Sequence, residues 1–206
     1  MDKWRPPVGR GGWPTVATEI PPNARDILLS GQPVPYGVTV DLQFTLPNVG
    51  AGADPCSFDD LANEHDALCL LLQRDYYCTN CRKQVQAVAD RYDEFQDRRS
   101  EVVSVVPEAP ETLQGWQDAY DLPYPLLADP EVAIGGATDQ PVRFGLLGRL
   151  SDFFGRMPQA LVIDVREEPE IAWSYSGRST FDRPSIDEIL AEIDRLRDGS
   201  ADDARA

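Results

Sequence analysis

Alternating and continuous apolar runs along the chain predict the strands of a sheet. Residues 38–46 (VTVDLQFTL) alternate between apolar and polar positions, which is typical of a half-buried strand. Residues 67–73 (ALCLLLQ) and 101–106 (EVVSVV) are continuous apolar runs of strand length, which favours buried central strands. Residues 159–164 (QALVID) predict a further strand, and 170–177 (EIAWSYSG) are expected to pair with it across a turn. After the turn GAGADP, the residues CSF are a candidate for pairing back on the first strand.

Apolar residues at three- and four-residue steps predict the helices. A short helical turn is expected at 58–65, and longer helices at 109–121 and 185–197. Ser185 and Glu188 fit a capping box at the start of the last helix. One apolar stripe predicts a single helix from Thr79 to about Gln96, formed by Cys81, Val85, Val88, Tyr92 and Phe95.

The order of these elements predicts an α/β domain over residues 36–197. Strands and helices follow one another as βαβαββα with one strand in front, so we expect a central mixed β-sheet with helices on both faces. Residues 1–35 hold seven prolines and four glycines and predict an extended N-terminal arm with one helical turn at 23–30. Residues 198–206 are polar and predict a disordered acidic tail.

The charge balance is strongly acidic and excludes some partners. The chain has 35 acidic and 19 basic residues, a formal net charge of −16, and only two lysines, Lys3 and Lys83. Such a surface repels nucleic acid and anionic membranes. An acidic partner-binding face is one explanation, but the acid excess runs along the whole chain and resembles proteins of extreme halophiles. No run of 18 apolar residues and no apolar leader is present, so we expect a cytoplasmic protein whose isolated thiols stay reduced.

The stretch DYYCTNCRKQ (75–84) places two cysteines, Cys78 and Cys81, three positions apart at the start of a predicted helix. A redox dithiol needs two sulfurs that can bond and one thiolate available at neutral pH. Unpaired N–H groups at a helix N-terminus lower the pKa of a cysteine thiol. We therefore expect Cys78 to be exposed and acidified, and Cys81, on the apolar stripe, to be buried and less acidic.

Two other interpretations of the cysteines stay open. Structural zinc prefers four ligands, for which the chain offers only Cys56, His65 and Cys69 in addition, with no second CxxC. Cys69 lies between leucines in a predicted strand and is expected to be a core residue. Cys56 is expected to be a surface thiol, with a role as a second resolving cysteine as the alternative. His65, the only histidine, has little support as a catalytic base.

At this point the chain resembles the thioredoxin superfamily, in its peroxiredoxin-like (AhpC/TSA, redoxin) branch, over residues 36–197. The stretch LCLLLQRDYYCTNCRKQVQAVADRYDEF is similar to the central strand and active-site helix of that branch. The stretch VVSVVPEAPETLQGWQDAYDLPYPLLADPE is similar to the next strand, helix and "pLLsD" segment, and MPQALVID to the strand entering the second half of the sheet. The resemblance implies a thioredoxin-like fold.

Two positions separate the subfamilies of this superfamily. Typical peroxiredoxins carry Thr-x-x-Cys, with the peroxide-attacking sulfur last, whereas Cys78 stands here where the threonine would be. They also place an arginine six residues before the aspartate of the "VID" strand, where this chain has Pro158. Thioredoxins place a cis-proline there, facing the dithiol, so the resemblance implies a cis bond before Pro158. Arg82 or Arg156 is then a candidate to supply the missing charge.

The resemblance implies a thiol–disulfide oxidoreductase and antioxidant redoxin. Cys78 attacks a disulfide or a peroxide, and Cys81 resolves the product. Tyr77, beside the motif, joins Pro158 and the two arginines as a candidate substrate-contacting or thiolate-tuning residue. No cofactor or metal is expected. The expected partners are a protein or small-molecule disulfide or a hydroperoxide, and an external thiol reductant. A peroxidase with Cys81 as the attacking residue, a non-catalytic redox-sensing module and a zinc-holding structural protein are the alternatives.

Overall fold

The computed structural model of the chain describes residues 38–39, 42–142 and 156–203. In these residues the strands are β1 Val38–Thr39, β2 Thr45–Leu46, β3 Cys56–Ser57, β4 Ala67–Leu72, β5 Ser100–Val106, β6 Leu126–Ala128, β7 Gln159–Asp164 and β8 Glu170–Ser176. The helices are α1 Phe58–Glu64, α2 Thr79–Ala89, α3 Tyr92–Gln96, α4 Pro110–Tyr120, α5 Ala133–Ala137 and α6 Ile186–Asp203.

Six strands form one mixed sheet in the order β1-β8-β7-β4-β5-β6. The central strand β4 runs parallel to β5 and antiparallel to β7. β6 continues the parallel half, whereas β8 and β1 extend the antiparallel half. β2 and β3 form a separate antiparallel ribbon, so the CSF segment does pair back. The predicted mixed sheet of a thioredoxin-like α/β fold is therefore confirmed.

Both faces of the sheet are covered, because side chains alternate along the buried strands. In β4, Ala67, Cys69 and Leu71 face one core cluster, which includes residues of α2, α4 and α6. Leu68, Leu70 and Leu72 face a second cluster, which includes residues of β3, α1 and α5. The two clusters make β4 a fully buried strand, which explains its uninterrupted apolar sequence. No helix in the described part of the chain is long and apolar enough to cross a membrane.

Two predicted elements are each divided into two in the structure. The helix expected from Thr79 to Gln96 is two helices, because α2 ends at Ala89 and α3 begins at Tyr92. The two keep one apolar face, so periodicity did not reveal the break. The segment 38–46 holds two short strands, of which β1 joins the main sheet and β2 the ribbon.

The last helix runs to Asp203, beyond the end expected at Arg197 and into the stretch expected to be a disordered tail. Its periodic apolar residues end at Leu196, so the pattern carries no signal for the polar turns that follow. Gly199 lies in open space and does not stop the helix. The predicted N-terminal arm, including Trp4 and Trp13, lies outside the described residues.

Candidate redox site

The cysteine pair lies where the chain leaves the buried strand β4 and begins α2. Cys78 is the N-cap residue of α2, and its sulfur accepts a hydrogen bond of 3.1 Å from the backbone N–H of Cys81. The two Cα atoms are 5.2 Å apart and the two sulfurs are at disulfide distance, 2.26 Å. The spacing of the motif across the first helical turn therefore allows a Cys78–Cys81 disulfide, as the sequence predicts.

Burial of the two sulfurs is more even than the sequence predicts. Cys81 is fully buried in the core cluster below the helix, as expected from its place on the apolar stripe. Cys78 was expected to be exposed, and this is wrong for the disulfide form, because only 7% of its surface is accessible. It remains the more accessible of the two, and it lines an open depression on the surface. The asymmetry between an outer and an inner sulfur is thus smaller than predicted.

Helix α4 holds the turn that precedes the dithiol. The ring of Tyr76 stacks on Trp116 with centroids 5.8 Å apart, and the indole N–H donates to the Tyr76 carbonyl at 3.2 Å. The backbone N–H of Tyr76 donates to the Glu108 carboxylate at 3.3 Å. Gly115 permits this contact, since a Cβ at that position would lie 2.6 Å from the Tyr76 hydroxyl. The turn between β4 and Cys78 is therefore fixed from the side of α4.

The arginine beside the sulfurs is Arg183, which the sequence analysis did not identify. Its Nη2 lies 2.8 Å from the Cys81 sulfur and 3.4 Å from the Cys78 sulfur. Its Nη1 donates to the Thr180 carbonyl and its Nε to the Gln84 side chain of α2. Burial lowers the pKa of Arg183 to about 10, and the neighbouring charge of Arg74 adds to the effect. Arg183 therefore still carries its charge at neutral pH, in a half-buried place next to both sulfurs.

Arg183 reaches the dithiol from the segment 177–184, which connects β8 to α6. Asp182 organises this segment, because its carboxylate accepts from the Tyr175 hydroxyl and from the backbone N–H of Arg178. These bonds hold the pKa of Asp182 below its usual range. At Gly177 a Cβ would lie 2.4 Å from the Asp182 carbonyl oxygen and 2.7 Å from Pro158. The absence of a side chain at Gly177 therefore allows the segment to fold tightly over the end of β7.

Pro158 supports this segment and is not preceded by a cis bond. Among the described residues only Asp54–Pro55 is cis, so the cis bond expected before Pro158 is wrong. The chain enters β7 as extended backbone, in which the Met157 N–H donates to the Pro141 carbonyl and the Pro158 carbonyl accepts from the Gly177 N–H. These two backbone hydrogen bonds form with a trans peptide bond between Met157 and Pro158. Pro158 is buried beneath the segment that carries Arg183.

The other predicted site residues lie around the dithiol rather than on it. Tyr77 is 68% exposed and lines the depression next to Cys78. The Arg82 guanidinium donates to the Tyr77 carbonyl at 3.3 Å. Arg156 accepts a hydrogen bond from Arg74 through its carbonyl, and its charge acts on the buried carboxylate of Asp129. In the described part of the chain, Arg183 is the arginine hydrogen-bonded to the sulfurs.

The remaining cysteines and the histidine lie away from the site. Cys69 is fully buried in the core, as predicted, and its burial raises the pKa of its thiol far above the ordinary range. Cys56 was expected to be a surface thiol, which is wrong, because it is 3% exposed in the opposite core cluster and burial raises its pKa to about 11. His65 lies 3.6 Å from Glu101. The described residues contain no group of three or more His, Cys, Asp and Glu side chains arranged to hold a metal.

Comparisons with known proteins identify the family of the chain. The sequence model of the AhpC/TSA family matches residues 40–166. The chain belongs to the AhpC/TSA family. This confirms the predicted resemblance to peroxiredoxin-like redoxins, and the match includes both cysteines of the motif. It ends before Arg183, which lies in the segment after β8.

Solved structures share the fold of this AhpC/TSA chain at low identity. Peroxidoxin BcpB from Mycobacterium tuberculosis is 20% identical with a TM-score of 0.60, over 75% of this chain and 93% of that one. The reduced 2-Cys peroxiredoxin of Plasmodium vivax is 16% identical with a TM-score of 0.63, over 83% of each chain. Peroxiredoxin Q of Xanthomonas campestris is 14% identical with a TM-score of 0.60, over 88% and 98%. No curated protein matches the chain significantly.

Proposed function

We propose that this protein is a thiol–disulfide oxidoreductase of the AhpC/TSA family that uses the Cys78–Cys81 dithiol to reduce a disulfide or a peroxide. The observation that supports this proposal is the Cys78–Cys81 disulfide at the start of α2, with the Arg183 guanidinium beside both sulfurs. A cytoplasmic location and a high-salt medium, expected from the composition, are part of the same proposal.

In the proposed reaction the Cys78 thiolate attacks one sulfur of a substrate disulfide. A mixed disulfide forms and the other substrate sulfur leaves as a thiolate. Cys81 then loses its proton and attacks the Cys78 sulfur, which releases the second substrate thiolate and closes the Cys78–Cys81 bond. The substrate gains two electrons and the dithiol loses two. An external thiol reductant returns the pair to the dithiol by the reverse exchange.

Four features of the site suit Cys78 to the attacking role. It is the outer sulfur, it lines the depression, and it accepts the backbone N–H of Cys81 at the mouth of an eleven-residue helix. Hydrogen bonds to a sulfur favour its charged form. The positive charge of Arg183 at 3.4 Å acts in the same direction. Cys81 is fully buried, which suits a residue that reacts only with its neighbour.

A thiol peroxidase with Cys81 as the attacking residue is the second candidate. Cys81 occupies the position at which typical peroxiredoxins carry the peroxide-attacking sulfur, and Arg183 lies closer to it, at 2.8 Å, than to Cys78. In that reaction the Cys81 thiolate attacks a peroxide oxygen and becomes a sulfenic acid, while an alcohol or water leaves. Cys78 then attacks the sulfenate sulfur, and water leaves as the disulfide closes.

Single substitutions distinguish the two candidates. We expect a small alkylating reagent at neutral pH to label Cys78 first in the reduced protein. Cys78→Ser is expected to abolish mixed-disulfide formation, and Cys81→Ser to trap the mixed disulfide, because the resolving sulfur is then missing. Turnover of a disulfide and of hydrogen peroxide with a thiol reductant is measured on the same proteins.

Cys69→Ala is the control, since it removes a buried thiol outside the Cys78–Cys81 pair without burying a hydroxyl in the core, and it should leave turnover in place. Faster labelling of Cys81, or a sulfenate formed by Cys78→Ser with peroxide, would make Cys81 the attacking residue and favour the peroxidase. If the wild type turns over neither acceptor, both candidates fail.

A further inference from the structure

The mouth of the dithiol is basic, in a chain whose net charge is −16. An open depression of about 560 Å³ adjoins Cys78 and is lined by residues of 74–83 and of the segment 180–181. Its charged lining residues are Arg74, Lys83 and Asp75, and the charge of Arg183 lies behind the sulfurs. One of the only two lysines in the sequence is therefore placed beside the reactive pair.

Lys83 is a cation of the lining whose charge is not neutralised by an ion pair in the described part of the chain. By contrast, five arginines elsewhere on the protein form ion pairs with nearby carboxylates: Arg91, Arg98, Arg99, Arg166 and Arg195. Arg74 lies 3.8 Å from Asp75, and its Nε is held by the Arg156 carbonyl. Lys83 is exposed on α2, and no described carboxylate lies within ion-pair distance of its ammonium group. Its charge is therefore available to an anion that enters the depression.

Two aromatic side chains complete the lining. Tyr77 is 68% exposed and Phe181 is 81% exposed, and they are the large hydrophobic side chains that the described part of the chain leaves in solvent. Both line the depression. Exposed aromatic groups beside a reactive sulfur offer apolar contact to the short carbon chain that carries a substrate sulfur. The depression thus combines apolar walls with an unpaired cation, and its volume is typical of small-molecule sites.

We propose that this depression binds the anionic arm of a small carboxylate-bearing disulfide, and that Lys83 determines the specificity for that charge. The inference rests on the proposed function, because the bound disulfide is the one that Cys78 attacks. The carboxylate pairs with the Lys83 ammonium group, the carbon chain lies against Tyr77 and Phe181, and the disulfide bond faces the Cys78 sulfur.

The overall charge of the protein predicts the opposite preference, which makes the inference testable. A chain with net charge −16 attracts cations and repels anions at long range. At an ionic strength of about 0.15 M the Debye length is about 8 Å, so distant charges are screened and contacts inside the depression remain. A preference for an anionic substrate at this ionic strength must then come from the local lining.

The experiment compares three small disulfides of similar length and different charge. These are 3,3′-dithiodipropionate, which is dianionic, bis(2-hydroxyethyl) disulfide, which is neutral, and cystamine, which is dicationic. The reduced protein is mixed with each, and the single-turnover rate constant for its oxidation is divided by that of free dithiothreitol with the same disulfide. We expect the normalised rate constant for the dianion to exceed that for the dication by about tenfold.

Substitutions at Lys83 test whether this residue causes the preference for the dianionic disulfide. Lys83→Gln should reduce the ratio of dianion to dication about fivefold, Lys83→Glu should reverse it, and Lys83→Arg should keep it. Arg99→Gln is the control, because it removes one positive charge at the opposite end of β4, where Arg99 pairs with Asp66, and should leave the ratio unchanged.

A dication preference in the wild type, or an equal change in Lys83→Gln and Arg99→Gln, overturns the inference. The single-turnover ratio is measured without a recycling reductant. An absence of catalytic turnover would therefore count against the proposed function and leave the charge preference to be judged by itself.

Discussion

Replacing Arg183 by Gln should make the Cys78–Cys81 disulfide more difficult to reduce. Arg183 donates toward both sulfurs, and its charge is half-buried with no described carboxylate at hydrogen-bonding distance. In the disulfide form this charge faces neutral sulfur, whereas in the reduced form it faces a thiolate. The arginine therefore stabilises the reduced form relative to the oxidised one, and it raises the reduction potential.

The expected size follows from the strength of a charged hydrogen bond. Such a bond contributes about 1.5–3 kcal/mol, and partial exposure to solvent at Arg183 favours the lower end. A loss of about 1.5 kcal/mol corresponds to a potential about 30 mV more negative for a two-electron couple. The same loss moves the pH at which the attacking thiol ionises upward by about one unit.

Two measurements check this prediction. The potential comes from equilibration of Arg183→Gln and wild type with glutathione buffers, and thiol ionisation comes from the pH dependence of alkylation rates. Arg183→Lys should retain part of the effect, because the charge remains but the two-pronged donor is lost. Arg178→Gln, an exposed change five residues earlier in the same segment, is the control and should match the wild type. A potential for Arg183→Gln equal to or above that of the wild type would refute the reasoning.

Three further predictions concern stability and are read from thermal unfolding. Gly177→Ala should cost about 1–3 kcal/mol, because its Cβ would lie 2.4 Å from a backbone oxygen of Asp182, and an unchanged melting temperature would contradict this. Burial raises the pKa of Glu101, so its contribution to stability decreases as pH rises from the unfolded-state value through the folded one. Glu101→Gln should therefore gain stability relative to wild type between pH 4 and pH 7, and a relative loss would show that its bonds to Tyr92 outweigh burial. Finally, the melting temperature of the wild type should rise between dilute buffer and molar KCl, because a Debye length of about 3 Å screens the repulsion within a chain of charge −16; a flat or falling curve would contradict adaptation to salt.

The sheet could be predicted because each central strand carries its own signal. β4 is buried on both faces, so it reads as an unbroken apolar run, and the strand expected at 159–164 is β7 with the same bounds. β6 is three residues long and α5 five, and neither is long enough for a period to be recognised. The break between α2 and α3 leaves the apolar face intact, so a pattern of buried positions cannot reveal it.

The site was predictable where it is local in sequence and not where it depends on the fold. The contact between Cys78 and Cys81 follows from their spacing on one helix turn. Arg183 lies more than a hundred residues from the motif, in a segment without hydrophobic periodicity. The sequence alone does not distinguish it from other surface arginines. The only sequence signal in this region is GRSTFDRP, directly before the capping box of α6. Its glycine and proline predict a turn, but they do not predict the direction in which the Arg183 side chain points.

The exposure expected for Cys78 was wrong for a related reason. Helix register correctly placed it at the mouth of α2, where a cap residue is ordinarily open to solvent. The turn held by α4 and the segment 177–184 both lie against that mouth, and neither contact is visible in the motif itself. Accessibility at a helix terminus is a property of what packs around it, which for this chain comes from distant parts of the sequence.

The two departures from the peroxiredoxin pattern, at Cys78 and Pro158, have one structural explanation. A cysteine in place of the threonine allows the disulfide to close across the first turn of α2. In the proposed reaction each sulfur is a thiolate at one step, and a neighbouring positive charge stabilises a thiolate. An arginine at position 158 would start directly before β7, beneath the segment 177–184. Pro158 packs against Gly177, and this contact supports the segment from which the Arg183 guanidinium reaches both sulfurs. The charge that the proposed reaction uses is therefore available from the segment after β8, and exchanging Pro158 for arginine alone should displace Arg183 rather than restore a peroxidase site.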